Sequence, residues 1–117
     1  MARFLAVLFG IAFIAGGVAG YMPQFFQNDL LFGYFQVDTV HNMVHIATGV
    51  IAIMAATNRG LTKTFFVLFG LLYLIVGGIG YWRDGDIFIM QVNRADDLLH
   101  LGLGIVLLLI GLNTSSE

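Results

Sequence analysis

From Phe4 to Tyr21 the chain carries no charged side chain, and three further apolar runs follow at about residues 38–57, 63–82 and 95–112. Roughly twenty apolar residues suffice to cross the hydrocarbon of a bilayer as a helix. A helix is also the natural way to bury every backbone amide and carbonyl within one segment. Four such runs in 117 residues leave little chain for anything else. Composition agrees: 59% of residues are hydrophobic and only 10% charged, too few to cover a soluble domain. The expected fold class is therefore all-α, an integral membrane four-helix bundle, with the lipid bilayer as its main partner. A formal charge of −2 and five scattered Lys/Arg exclude nucleic-acid binding. The absence of cysteine excludes disulfides, thiolate metal sites and cysteine nucleophiles.

The chain also repeats itself. Val7-Leu8-Phe9-Gly10 recurs as Val67-Leu68-Phe69-Gly70, and Gly16-Gly17…Tyr21 as Gly77-Gly78…Tyr81. This favours a retained first helix over a cleaved leader. Residues 36–49 (QVDTVHNMVHIATG) then lie over residues 91–104 (QVNRADDLLHLGLG), matching Gln36 with Gln91, Asp38 with Asn93, His45 with His100 and Gly49 with Gly104. The one clear exchange of chemistry is His41 for Asp96. The expectation is a single membrane domain of two tandem helical-hairpin repeats, about residues 1–58 and 61–113. Two crossings per repeat give both repeats one orientation, so a pseudo-two-fold axis runs along the membrane normal.

Between the crossings, residues 22–37 mix aromatic with polar side chains and suit a segment lying in the headgroup region. Residues 83–92 repeat that theme in shorter form. Asn58-Arg59-Gly60 reads as a turn ending the second helix, with Thr62 capping the third. A polar tail closes the chain after Leu112. Arg3, Arg59 and Lys63 fall on one side and Arg83 and Arg94 on the other, which favours cytoplasmic termini.

Polar residues inside such helices need an explanation. Asp38 and Asn93 are placed to cap helices two and four, and Asp96 stands three residues after Asn93 as in a shortened capping box. His41/His45 and Asp96/His100 are spaced i, i+4, so each pair stacks on one helix face. His45 and His100 lie about two turns, roughly 10 Å, inside apolar helices. Gly49 and Gly104 continue the face, and Gly16, Gly20, Gly77 and Gly80 offer surfaces for close helix packing. Four readings of the cluster stay open, one of them a proton or ion pathway, for which the opposite halves of the helices offer no further buried ionisable residue to continue a relay. The imidazoles can be interhelical glue. His41, His45, Asp96 and His100 can supply three nitrogens and a carboxylate to zinc or copper. His45 and His100 can be axial ligands to haem iron, with the glycines making room for the macrocycle.

At His41-Asn42-x-x-His45-x3-Gly49 and Ala95-Asp96-Asp97-x-x-His100-x3-Gly104 the chain resembles a family of small four-helix bacterial membrane proteins of unknown function. The resemblance implies a bacterial inner (plasma) membrane location and the four-helix fold, and carries no activity with it. No GxSxG, HExxH, P-loop or dinucleotide fingerprint occurs, and catalysis is the least supported class. A structural or accessory membrane subunit leads, with a metal- or haem-binding protein as the alternative. A homo-oligomer or larger membrane complex is the expected setting.

Overall fold

The apolar runs fold as four helices because their small and large side chains alternate at helical spacing. In the computed structural model, which describes residues 1–115, these are α1 (Ala2–Ala19), α2 (Thr39–Ala55), α3 (Arg59–Trp82) and α4 (Arg94–Leu112). The end of the polar tail, residues 116–117, lies outside the described residues. α1, α3 and α4 are long and apolar enough to cross a membrane; α2, at 17 residues, is shorter. Buried positions recur every three or four residues: Ala6, Gly10, Phe13 and Gly17 on α1, and Phe66, Gly70, Tyr73, Gly77 and Gly80 on α3. That spacing draws a narrow seam along one side of each helix.

α1 packs along α2, and α3 along α4, with thinner contact between the two pairs. The same contacts occur in both pairs. A Cβ on Gly49 would stand 2.5 Å from the Gly10 carbonyl, and one on Gly104 would stand 2.9 Å from that of Gly70. Gly17 faces Ile46 as Gly77 faces Leu101, and Gly20 faces Asn42 as Gly80 faces Asp97. At one end Arg3 Nε donates to the Ala56 carbonyl (2.6 Å), and Lys63 Nζ to that of Gly111 (2.8 Å). Each cation thus meets the negative end of the partner helix. Between the pairs Phe13 stacks on Tyr73, ring centroids 5.4 Å apart, and Phe9 meets Phe66 edge-on.

The structure corrects the sequence-based expectations at several places. α1 and α2 each stop two residues short of the expected 21 and 57, while α3 starts four residues before the expected 63. The α3 difference has a local cause. Asn58 is extended and its Oδ1 accepts the Leu61 amide at 2.8 Å, so it opens α3 rather than closing α2. Thr62 instead donates its hydroxyl to the Ala55 and Asn58 carbonyls and ties the turn together. Replacing Asn58 with alanine is expected to lower stability by about 1 kcal/mol through the lost cap, read as a shifted unfolding midpoint in detergent. A Cβ on Gly16 would meet nothing within 4 Å among the described residues, so Gly16 makes no close contact with another helix of this chain. Gly17, seven residues after Gly10, holds the seam instead.

Residues 22–37 contain a 3-10 turn (Pro23–Phe25) and a two-stranded ribbon, β1 (Phe26–Gln27) with β2 (Leu30–Leu31). Asn28 and Asp29 both adopt positive φ, 53° and 64°, as a tight hairpin turn requires. The second connection repeats the device with β3 (Asp86–Ile87) and β4 (Met90–Gln91). Here the turn places Phe88 at φ 56°, unusual for a bulky residue. Its amide donates to Asp86 Oδ1, and the Arg83 guanidinium lies over its ring, 4.4 Å from the centroid.

Candidate functional site

Both ribbons lie at the end of the bundle where α2 and α4 begin, and the polar residues gather beneath them. Asp38 caps α2, its Oδ1 accepting the His41 amide at 2.8 Å. Asn93 caps α4 in a full capping box: its Oδ1 accepts the Asp96 amide, and Asp96 Oδ2 accepts the Asn93 amide. The caps also cross between the α1–α2 pair and the α3–α4 pair. Gln36 N–H donates to Asp96 Oδ2 (3.1 Å), and Gln91 N–H to Asp38 Oδ2 (3.2 Å). Asn93 Nδ2 donates to the Tyr34 carbonyl at 2.8 Å. The two connections are thereby laced over the ends of α2 and α4.

One turn below, His41, His45 and His100 converge. Each can present a ring nitrogen so that all three lie within 4.8 Å of one another. Ring centroids are 4.5 Å apart for His41–His45, 5.4 Å for His41–His100 and 5.8 Å for His45–His100. His41 and His100 are each 1% exposed, which excludes bulk water as their partner. Four of their nitrogens, His41 Nε2, His45 Nε2 and both of His100, are buried with no hydrogen-bond partner among the described residues. Orphaning a buried polar atom costs about 1–3 kcal/mol, so four of them in one cluster are a costly arrangement.

The His41 ring is held in one orientation. Its Nδ1 lies 3.2 Å from the Gln36 carbonyl, which can only accept, so Nδ1 carries the proton and Nε2 keeps its lone pair. Metal-bound histidines are commonly held in this way by a carbonyl at the other nitrogen.

Of the four residues expected as ligands, the three histidines come together and Asp96 stands outside the group, its Oδ2 engaged with two amides. Gly49 and Gly104 leave no gap beside the imidazoles. They face Gly10 and Ile14, and Gly70 and Leu74, so the room expected for a macrocycle is filled by helices α1 and α3. Asp97 is also buried, its Oδ1 unpartnered against Gly80, with Arg94 Nη1 3.7 Å from Oδ2.

Residues 3–113 match the family described as a domain of unknown function, DUF4383. The chain belongs to this family. No curated protein and no solved structure matches it. The DUF4383 match runs through all four helices, both ribbons and all three histidines, so the site lies within the family's domain.

Sequence reasoning passed over the wall of the site. Tyr73 on α3 lies beside His100 and His45, centroids 5.5 and 6.2 Å away, and Phe13 lies beside His45 at 5.7 Å. Thr48 Oγ1 and the Tyr73 hydroxyl are 3.0 Å apart, linking α2 to α3. The signal was available: Thr48 follows His45 by one turn, and Tyr73 sits mid-run in α3, where a hydroxyl needs a partner. Replacing Tyr73 with phenylalanine is expected to cost about 1 kcal/mol through the lost hydrogen bond, measured by unfolding in detergent.

Proposed function

We propose that this chain is a multi-pass membrane protein of two tandem helical hairpins that holds a transition-metal ion, zinc or copper, on His41, His45 and His100. Membrane embedding is supported by an apolar exterior that covers buried polar side chains along with an apolar core. The interior holds His41, Asn42, Thr48, Thr62, Asp96, Asp97 and His100, while Leu68, Ile75, Ile105 and Leu109 are exposed. Exposed Tyr21, Tyr34, Tyr81 and Trp82 surround the ribbon end, as interfacial aromatics do. The tandem reading is supported by the paired contacts of Gly10/Gly49 with Gly70/Gly104 and of Arg3/Ala56 with Lys63/Gly111. Arg3, Arg59 and Lys63 crowd the end opposite the ribbons, which favours a cytoplasmic location for that end. In a bacterial inner membrane the histidines would then face the outer side.

The observation that carries the metal reading is the set of four unpartnered imidazole nitrogens in one buried cluster. Three neutral nitrogens form a recurrent donor set for zinc and copper, leaving a coordination position open. A purely structural role explains Asp38, Asn93, Asp96 and the seam glycines, all of which have their contacts. It does not explain four imidazole nitrogens buried without a hydrogen-bond partner among the described residues. Haem is disfavoured because Gly49 and Gly104 are covered by helices.

The test is elemental analysis of detergent-purified protein carrying no polyhistidine tag, beside a His45→Ala/His100→Ala double variant. Near-stoichiometric zinc or copper in the parent and none in the variant is the expected result. A parent that is metal-free as isolated, and that takes up neither ion on equilibration, would refute the reading.

A further inference from the structure

Asp96 is one turn from His100 and belongs to the same polar cluster, yet its Oδ2 is turned to main-chain groups and not to the imidazoles. That oxygen accepts two backbone amides, Asn93 at 2.9 Å from its own helix and Gln36 at 3.1 Å from the other hairpin. The second bond is the unusual one, because capping α4 does not require it. Gln36 lies in the connection leading into α2, and its carbonyl is the group that receives the His41 Nδ1 proton. One residue of main chain therefore links the Asp96 carboxylate to the His41 ring. With its N–H held by Asp96 and its C=O facing His41, Gln36 has little freedom to turn either group away.

The opposite strand of the lacing acts on the same histidine. Asp38 accepts the His41 amide through Oδ1 and the Gln91 amide through Oδ2. The second hairpin thus secures the backbone of His41 through Gln91 and Asp38, and its ring through Asp96 and Gln36. Only the second route bears on which ring nitrogen is protonated. The two residues that grip Gln36, His41 and Asp96, also occupy matching places in the two copies of the motif.

We propose that Asp96 is a positioning residue of the metal site: through the Gln36 backbone it fixes the His41 ring in the Nδ1–H form, with Nε2 turned toward the ion. This rests on the metal reading above and replaces the idea of Asp96 as a fourth ligand. Without Asp96 the Gln36 segment can rotate, and His41 can exchange its proton between nitrogens. Outer-shell groups of this kind are typically worth about 10–100-fold in metal affinity.

The experiment uses the full chain in detergent micelles, titrated with cobalt(II) as a visible-spectrum probe and with zinc(II) in competition. Nitrogen-15 spectra of the histidine rings, taken metal-free, report the His41 tautomer. In Asp96→Ala, cobalt affinity is expected to fall by about 10–100-fold, with His41 changing from a single Nδ1–H form to a mixture. Asp96→Asn keeps an acceptor of the same shape and should lie between Asp96→Ala and the parent, which retains a usable variant if the alanine form fails to fold. Asn93→Ala breaks the capping box and the Asn93–Tyr34 bond but leaves the Asp96–Gln36 bond, and should still hold the parent tautomer and bind cobalt within about threefold, well short of an outer-shell loss. Parent-like affinity in both Asp96 variants overturns the proposal. So does an equal loss in Asp96→Ala and Asn93→Ala with His41 still Nδ1–H, which would make Asp96 only a helix cap. A parent that binds neither cobalt nor zinc overturns the metal reading itself and is distinguished from both.

Discussion

Replacing His100 with leucine is expected to make the metal-free protein more stable while abolishing its capacity to hold an ion. Both ring nitrogens of His100 are buried without partners, whereas leucine fills a similar volume and has nothing to satisfy. Each orphaned polar group costs about 1–3 kcal/mol, so a gain of roughly 1–3 kcal/mol in the metal-free state is a conservative expectation. His45→Leu should gain less, since Nε2 is its one orphaned buried nitrogen. Zinc should reverse the order. On the proposed reading it would bind the folded parent and not the His100→Leu variant, and a ligand at a hundred times its dissociation constant adds about 2.7 kcal/mol. The measurement is an unfolding series in detergent with chelator and then with zinc, parent beside variant. If the chelated His100→Leu protein is the less stable one, the imidazole has partners that hold the bundle together. The site would then be structural. Destabilising groups retained in a core are a known signature of function, because activity and stability are selected against each other at such positions.

How much of this was legible beforehand depended on whether a residue type has one use or several. That His41, His45 and His100 would lie near one another was expected from the likeness of residues 36–49 to 91–104, since equal spacing from similar helix starts puts matching residues at equal depth. The role of Asp96 was not legible. A carboxylate one turn from a histidine is as good a ligand as a cap, and only the connection folding back from the first hairpin decides between them. Asn58 was ambiguous in a similar way, because asparagine both ends and begins helices; the three-residue spacing to Leu61 decided for the start. The first ribbon left a trace in Asn28-Asp29, two turn-forming residues directly before Leu30-Leu31. The second left none, because Phe88 turns at positive φ where propensity predicts a glycine or asparagine. Among the glycines the error was one of register. Gly16 and Gly17 are both small, but a residue one step along a helix lies about 100° away. Only Gly17 shares the seam with Gly10.

The same glycine-to-alanine change is expected to act with opposite sign at Gly49 and at Gly16. At Gly49 the new Cβ would lie 2.5 Å from the Gly10 carbonyl oxygen, 2.6 Å from Ile14 Cγ1 and 3.0 Å from the Ile14 amide nitrogen. Two of these are backbone atoms of α1 and cannot yield one at a time, so α1 must move away from α2 as a body. In lipid there is little hydrophobic force to draw the helices together again, because hydrocarbon tails solvate the exposed faces equally well. Close packing is then the main attraction being lost, and a cost of about 3 kcal/mol or more is expected. The movement would also carry Phe13 away from His45 and Tyr73, so metal affinity should fall together with stability. Gly104→Ala should behave alike, its Cβ falling 2.7 Å from the Leu74 amide nitrogen and 2.9 Å from the Gly70 carbonyl. At Gly16 a Cβ meets nothing within 4 Å, and alanine gains up to about 1 kcal/mol of helix propensity over glycine. Unfolding by dodecyl sulfate titration separates these cases: Gly16→Ala at or above the parent midpoint, Gly49→Ala and Gly104→Ala well below it. Equal midpoints for Gly16→Ala and Gly49→Ala would mean that α1 and α2 are not in contact along this seam. The histidine cluster would then lack the wall that keeps it dry, because Phe13 reaches His45 only while α1 lies against α2 there.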